Sequence, residues 1–477
     1  MDNRFEDFFE FDEEYIRRRI AKFDEKQDVY DLDLLENMAD LCLNEQNYDK
    51  AIEILAVAIR LYPYHAGMLA NYGYALLQKE KEKPFDVDLD TGFSYIYKAC
   101  QMQPEDPEIL YKLGYAYILK GDYENGIAYL DKSIAQDPDC LESYLLLATA
   151  HKDNLNYEKA ITYLEQWIEL SDEIDTDCTD LLVECLKKTK QLHIALERYK
   201  QATQKEPYNI KRWYILALIC ESAGFYLEAL QAYHFVVTLD EKHIEAHVSI
   251  ANIYVHFEAY NKAVEHLKLV FELDRSHYEV SYSLAECYLC MGAYRKAGEY
   301  YLETIKIDPY HHEAWFGLGI CAEQYENFNM AMFYFEKAYS LYPYNPYYMI
   351  ALANTQYRAG YLKDAYQTYT EGLKKFPDAI YAWLDFSACL YEQKEFEEAI
   401  NVLKRGIQEN SYEASLYYRL AAYLYSIIRP QEADEYFVLG LELDFAKHTE
   451  VFELFPQLRS YQPLINLIRD FQSKNKK

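Results

Sequence analysis

The residues with the clearest potential for chemistry are one pair of cysteines and one pair of histidines. Cys287 and Cys290 form a Cys-x-x-Cys pair, a spacing used by zinc ligands and by redox-active thiols. A zinc site would need a second ligand pair, and a redox pair would need a strand-to-helix setting, so core or groove thiols are predicted. His243 and His247 are four residues apart and could share a helix face. They lack the Glu of the metalloprotease pattern and a third ligand, which favours structural roles.

An acidic segment is the third candidate. Asp86, Asp88 and Asp90 resemble the opening of a calcium-binding loop. Such a loop needs Gly at its sixth position and Glu at its twelfth, where this sequence has Thr91 and Tyr97. Asp90 or Thr91 is better explained as the N-cap of the following helix. The sequence also has no Gly-rich phosphate loop, no nucleophile elbow and no distinct acid–base pair. We predict that the protein is not an enzyme and uses no metal or cofactor.

Composition narrows the class of partner. The chain has 48 Lys and Arg against 79 Asp and Glu, a net charge of −31 and a pI near 4.8. This acidity disfavours nucleic acid and anionic membranes and leaves a basic or neutral partner, or a role in solubility alone. No apolar run approaches the roughly 20 residues of a membrane helix, and the start lacks the pattern of a secretory signal. We expect an acidic cytoplasmic protein with reduced cysteines.

The element that must position any site is a helical repeat. Alanine recurs every 34 residues, at Ala195, Ala229, Ala263, Ala297, Ala331, Ala365, Ala399 and Ala433. A fixed period of this size indicates a repeat array in which each unit packs on its neighbours. The clearest unit, 312–345, has the hydrophobic spacing of two amphipathic helices, with Asn327 and Asn329 between them as turn and N-cap residues.

The packing positions of that unit carry a family resemblance. They are Trp315, Leu318 and Gly319 on the first helix, Ala331, Phe335 and Ala338 on the second, and Pro343 at its end. The pattern resembles the tetratricopeptide repeat, with a weaker similarity to bacterial members made almost wholly of repeats. The resemblance implies an all-α, right-handed superhelical solenoid of about twelve 34-residue helical hairpins with a C-terminal capping helix.

The period divides the chain into three parts. Residues 1–31 are predicted to form an acidic, aromatic N-terminal cap with a helix over about 13–26, or alternatively a partner-docking segment. Residues 32–446 form the repeat array, with an insertion at 79–91 and an irregular junction at 171–177. Residues 447–477 are predicted to form C-terminal capping helices and a frayed tail, because a terminal repeat exposes an apolar face.

The resemblance also implies a binding surface. In the proteins this chain resembles, one stripe of each first helix lines a concave groove that holds peptide segments. Carried over to this sequence, the stripe contains Tyr111, Tyr115, Tyr214, Asn252, Tyr282, Phe316, Asn354, Tyr357, Tyr391 and Tyr418. Tyrosine offers a rigid ring and a hydroxyl for peptide recognition, although a chain with 51 Tyr will place some there in any case. Glu36 and Asp40 occupy the first repeat where a carboxylate clamp has Lys and Asn, so a terminal carboxylate would be repelled there.

The resemblance and the residues together predict a protein–protein interaction scaffold. We expect it to bind extended or helical segments of one or more partner proteins in the groove, without catalysis, nucleic acid or membrane insertion. The alternative is a self-assembling structural protein, a homo-oligomer joined through its N-terminal segment or its terminal cap.

Overall fold

The computed structural model describes residues 13–23, 30–81, 88–171 and 175–474. In these residues it contains 27 α-helices, two short 3₁₀ helices and no strand. The chain divides into two compact units, Met1–Leu239 and Asp240–Lys477.

The first unit contains thirteen of the described helices. They are α1 Glu13–Ala21, α2 Leu32–Asn44, α3 Tyr48–Leu61, α4 Ala66–Lys81, α5 Leu89–Met102, α6 Pro107–Leu119, α7 Tyr123–Gln136, α8 Leu141–Asp153, α9 Tyr157–Leu170, α10 Thr176–Lys188, α11 Leu192–Lys205, α12 Ile210–Ser222 and α13 Tyr226–Leu239.

The second unit contains the other described helices. They are α14 Ile244–His256, α15 Tyr260–Leu273, α16 Tyr278–Cys290, α17 Tyr294–Ile307, α18 His312–Gln324, α19 Phe328–Leu341, α20 Pro346–Arg358, α21 Leu362–Lys375, α22 Ile380–Glu392, α23 Phe396–Glu409, α24 Ala414–Ser426, α25 Pro430–Leu443, α26 Glu450–Leu454 and α27 Gln462–Lys474, with 3₁₀ helices at Phe445–Thr449 and Pro456–Ser460.

From α2 to α25 the helices pair into twelve hairpins, six in each unit, which confirms the predicted all-α array. Within each unit a second helix packs on the first helix of the next hairpin. The first helices of successive hairpins also contact each other, as α2, α4, α6 and α8 do in turn. One edge of the first unit is therefore built from neighbouring first helices.

The turn inside each hairpin has one recurring conformation. The residue before the N-cap of the second helix is left-handed in every hairpin whose turn is described: Gln46, Gly121, Leu155, Lys190, Gly224, Glu258, Gly292, Glu326, Gly360, Lys394 and Ile428. At Gly360, in the turn between α20 and α21, the φ is +87°. At Glu326 the φ is +55°, and the next residue, Asn327, caps α19 by accepting from the Met330 amide. Asn327 alone is the cap, because α19 has already begun at Phe328 and Asn329 lies inside it.

The hairpin of α18 and α19 shows how closely the helices approach. Ala331, Phe335 and Ala338 are fully buried, and Leu318 is buried beside them. A Cβ atom added to Gly319 would lie 2.3 Å from Cε1 of Phe335. The absent side chain at Gly319 is therefore what gives the Phe335 ring its space.

A tryptophan ties the loop between hairpins to the helix that follows. In three hairpins the indole Nε1 donates to the carbonyl of a proline six residues earlier, at 2.9 Å each: Trp213 to Pro207, Trp315 to Pro309 and Trp383 to Pro377. Pro343 is half-buried after α19, and its carbonyl instead accepts from Lys375 Nζ at 2.7 Å. We call the three Trp–Pro contacts the indole latches.

Helices outside the hairpins lie at the two ends of the described chain, α1 in the first unit and α26 and α27 in the second. Ile16 of α1 is buried in the same core as Leu34 and Met38 of α2. The helix ends at Ala21, short of the predicted residue 26, and residues 1–12 and 24–29 lie outside the described residues. At the other end, Val451 of α26 and Leu464 of α27 are fully buried in the core of the last hairpin. The residues after Lys474 lie outside the described residues.

The two irregular segments differ in part from expectation. Asp88, rather than Asp90 or Thr91, caps α5, and its Oδ1 accepts from the amides of those two residues at 3.1 and 3.4 Å. The helix begins at Leu89, so these amides have no partner inside the helix. Residues 82–87, which include Asp86, and residues 172–174 lie outside the described residues.

Candidate functional site

The two cysteines of the Cys-x-x-Cys pair lie in different environments. Cys287 is buried on α16 while Cys290 is exposed at its end. Burial raises the pKa of Cys287 to about 11, which keeps the thiol protonated and makes it a poor metal ligand. Across the described residues, no group of three or more His, Cys, Asp and Glu side chains could hold a metal ion.

His243 and His247 both contact the backbone, and His247 also contacts another histidine side chain. His243 caps α14, and its Nδ1 accepts from the Ala246 amide at 3.3 Å. His247 lies 2.8 Å from the Nδ1 atom of His266 and 3.1 Å from the Glu241 carbonyl. The two histidines of the pair therefore have different partners, as structural roles require.

In the second unit, several side chains of the predicted stripe form hydrogen bonds to the next hairpin. Asn354 donates to Asp385 at 3.0 Å, Tyr357 donates to Glu392 at 2.8 Å, and Tyr391 donates to Ser426 at 2.7 Å. Tyr282 and Phe316 are half-buried; the Tyr282 ring lies 4.6 Å from that of His311 and the Phe316 ring 4.8 Å from that of Tyr348. Asn252 is exposed. With the exception of Asn252, each of these side chains contacts a residue of the next hairpin.

Three predicted groove tyrosines are core residues. Tyr214 is 3% exposed, with its ring 6.0 Å from that of Tyr233 on the second helix of the same hairpin. Tyr418 is fully buried and donates to the Asp444 carbonyl at 2.8 Å. Tyr115 is also buried and donates to Gln78. The prediction that they present open surface is wrong, because packing within and between hairpins covers these positions.

The first unit contains an open groove of about 910 Å³. It runs along α2, α4, α6 and the start of α8, and Tyr74 and Tyr111 contribute rings to it. Its lining is predominantly acidic: Glu36, Asp40, Asp106, Glu108, Asp137, Asp139 and Glu142. We call this surface the acidic groove. The stripe predicted from sequence included Tyr111, and the sequence also placed Glu36 and Asp40 on the first helix of the first repeat, where a carboxylate clamp has Lys and Asn.

The remaining acids of the groove were missed from the sequence. Glu108 and Glu142 are the second residues of successive first helices, 34 positions apart. That recurrence was the available signal. Asp137 and Asp139 lie in the loop before α8, outside any helical stripe, so no helix periodicity could identify them.

One ammonium group lies on the floor of the acidic groove. The Lys112 side chain is 8% exposed, and its Nζ donates to Asn71 Oδ1 and Glu108 Oε1. The same Nζ is 5.9 Å from the centre of the Tyr74 ring. Asn71 in turn donates from Nδ2 to Asp40 Oδ1 at 3.1 Å. The ammonium group of Lys112 is thus surrounded by an amide, a carboxylate and an aromatic ring.

Lys112 does not neutralise the groove. Burial, and next the charge of Glu108, raise the pKa of Asp40 to about 6, against the lowering effect of Lys112. Burial also raises the pKa of Tyr111 far above its ordinary value, so its hydroxyl stays neutral. His65 lies 3.3 Å from Glu36 at the edge of the groove. Negative charge is therefore in excess, and one carboxylate already resists ionisation.

A second cavity in the first unit, of about 620 Å³, has balanced charge. Arg198 pairs with Glu165, and Arg212 lies 3.2 Å from Glu206 and 3.5 Å from Glu169. Because its cations are already paired, this cavity has no comparable excess of one charge.

Comparison with protein families agrees with this architecture. The tetratricopeptide repeat profile matches residues 32–65, the hairpin of α2 and α3. The profile of anaphase-promoting complex, cyclosome, subunit 3 matches residues 94–167 and 324–406. The chain contains tetratricopeptide-type repeats. No curated protein matches this sequence.

Three solved structures illustrate the range of similar folds. MamA is 22% identical, with 35% of this chain and 95% of that chain covered and a TM-score of 0.32. Yeast Tom70 is 16% identical, with 83% and 99% covered and a TM-score of 0.37. The APC/C hetero-tetramer Cut9–Hcn1 is 13% identical, with 92% and 90% covered and a TM-score of 0.34.

The length and the apolar character of a helix decide whether it can cross a bilayer. Among the described residues, none of the helices is both long enough and apolar enough to cross a membrane.

Proposed function

We propose that this chain is a non-catalytic scaffold that binds partner proteins, and that the acidic groove holds an extended segment of a partner. The observation that carries the proposal is the groove itself. It is about 910 Å³, open, and lined by the first helices of four successive repeats. Solvent-facing carboxylates with aromatic rings beside them suit recognition of a polar chain. A cytoplasmic location and a bacterial origin stay predictions.

The ends of the array have a supporting role in this proposal. Residues 1–31 and 447–477 are proposed as caps around a repeat array of 32–446. The burial of Ile16 at one end and of Val451 and Leu464 at the other supports this assignment. A capped array keeps its apolar ends from associating, which leaves the side surfaces for partners.

Site-specific photo-crosslinking in an extract of the source cells tests the scaffold proposal. A photoreactive benzoylphenylalanine would replace Glu142 at the rim of the acidic groove, or Glu158, an exposed acid of α9 outside it. We expect a defined partner protein to be captured from position 142 and not from position 158. Equal capture from both positions would contradict a groove site. Capture of further copies of the chain alone would favour the self-assembling alternative.

A further inference from the structure

We propose that the segment bound in the acidic groove is cationic, an extended stretch of a partner protein that carries several Lys or Arg side chains. This inference rests on the proposed scaffold function and specifies the chemistry of its ligand. The lining of the groove contains seven carboxylates and one Lys among its sixteen residues.

The carboxylates of the groove have different tasks. Asp106 accepts from the amides of Glu108 and Ile109 at the start of α6, and Asp137 accepts from the Asp139 amide. These two are occupied in stabilising the backbone. Glu108 holds Lys112. The carboxylates that remain for a ligand are Glu36, Asp40, Asp139 and Glu142.

The available carboxylates have little cationic compensation. Among the described residues, Asp139 and Glu142 form no ion pair within 4.0 Å, and both are exposed. Among the contacts of the described residues, Glu36 has the His65 ring at 3.3 Å, and Asp40 accepts from Asn71 Nδ2 at 3.1 Å and has Lys112 as a nearby cation. A ligand that brings ammonium or guanidinium groups would complete the pairing that the chain lacks.

Lys112 shows which groups of the lining contact a cation. Its ammonium is almost wholly removed from solvent and satisfied by Asn71 and Glu108, with the Tyr74 ring at 5.9 Å. The chain's own ammonium group therefore occupies the floor of the groove, in contact with an amide and a carboxylate and near an aromatic ring. Tyr111 and the acids at the rim repeat the same combination of ring and carboxylate beside it. Cations bind such aromatic faces, and long Lys or Arg stems cover apolar surface.

The same features argue against other occupants. A polyanion or an acidic peptide would add like charge to a groove in which Asp40 already resists ionisation. A neutral segment would leave the rim carboxylates unpaired and partly desolvated, which costs free energy. Only a cationic segment gains from the whole lining.

Fluorescence anisotropy with the full-length protein tests the inference. The probes are three labelled decapeptides that alternate Ser with Lys, Gln or Glu. The groove variant is Glu36→Gln/Asp40→Asn/Glu142→Gln, in which Asn at position 40 keeps an acceptor for Asn71. The matched control is Glu124→Gln/Asp153→Asn/Glu158→Gln, which removes the same charges from exposed positions of the first unit outside the groove. Circular dichroism and thermal unfolding of both variants establish that they are folded.

We expect the Lys decapeptide to bind and the Gln and Glu decapeptides to bind much more weakly. The groove variant should weaken binding of the Lys decapeptide by about tenfold, since three solvent-facing ion pairs contribute a few tenths to 1 kcal/mol each. The control variant should change it by less than about twofold. Binding should weaken further as salt rises, because the contacts are screened.

Three results would overturn the inference: equal loss in both variants, no loss in the groove variant, or equal binding of the Gln decapeptide. A partner crosslinked at position 142 through a segment without Lys or Arg would also overturn it and leave the scaffold proposal standing. The segment 473–477 of a second copy, which contains three Lys, is another source of cations. If a peptide of that sequence competes with the Lys decapeptide and the intact chain self-associates, the occupant is a second copy and not a partner protein.

Discussion

Substitution of Gly319 by Ala should destabilise the second unit, although Ala is the better helix former. A Cβ atom at this position would lie 2.3, 2.5 and 2.8 Å from three atoms of the Phe335 ring. Carbon atoms prefer separations of about 3.5–4.0 Å, so the ring must move by more than about 1 Å. Phe335 is fully buried and has no open side to move into.

The magnitude follows from two opposing contributions. Replacing a helical Gly by Ala stabilises a helix by about 0.5–1 kcal/mol. Forcing an extra carbon into a closed core costs about 1–3 kcal/mol. The expected net loss is about 1 kcal/mol, and Gly319→Leu should lose at least as much.

The second unit offers a matched control. Gly298 lies in α17, where an added Cβ would meet only Cys321 Cβ, at 4.0 Å. Gly298→Ala should therefore show the helix gain alone. The assay is denaturant unfolding by circular dichroism, together with hydrogen exchange of the amides in α18 and α19. Phe335→Leu in the Gly319→Ala background should recover part of the loss. If Gly319→Ala were as stable as Gly298→Ala, the close approach of these helices would be refuted.

Three further predictions concern single side chains. Asp40→Asn should raise the free energy of unfolding by about 1 kcal/mol at pH 7.5, because burial raises the folded-state pKa of Asp40 to about 6 from 3.8. This pKa difference corresponds to roughly 3 kcal/mol, which we reduce to about 1 kcal/mol because solvent screens the carboxylate. The advantage should shrink as pH falls from 6 and vanish below 3.8, where the wild-type carboxyl is protonated in both states. A pH-independent advantage in urea melts would contradict this assignment. Ile428→Gly should raise the melting temperature, because an exposed β-branched residue at φ +65° costs about 1–2 kcal/mol; an unchanged or lower melting temperature would exclude that strain. Trp383→Phe should lower the free energy of unfolding, measured with denaturant, by about 1 kcal/mol, because the hydrogen bond to the Pro377 carbonyl is lost. An unchanged free energy of unfolding would show that this latch does not stabilise the fold.

The fold could be predicted from sequence because its determinants are local and repeated. The 34-residue alanine period identifies the second helices, and the spacing of residues such as Leu318 and Gly319 identifies the face of a first helix. The same local signals do not resolve single residues at helix ends. Asp88, Asp90 and Thr91 are all residue types that can cap a helix, and the sequence pattern does not indicate that the cap is Asp88.

The acidic groove was predicted less well because it depends on how hairpins pack. Tyr111 and Tyr418 occupy equivalent places in their repeats, yet Tyr111 lines the groove and Tyr418 is fully buried. The Tyr418 hydroxyl donates to the carbonyl of Asp444, the residue that follows α25. Repeat position alone cannot distinguish these environments. The proposed ligand depends in addition on loop acids such as Asp139, to which helix periodicity does not apply.

The indole latches make this chain a natural optical reporter. Of its four tryptophans, three are latched, Trp213 in the first unit and Trp315 and Trp383 in the second. Each indole is bonded to the loop between two hairpins, so its emission responds to the opening of one defined junction. Single-tryptophan variants would therefore show, without any added dye, which junction opens first when the protein is heated or pulled.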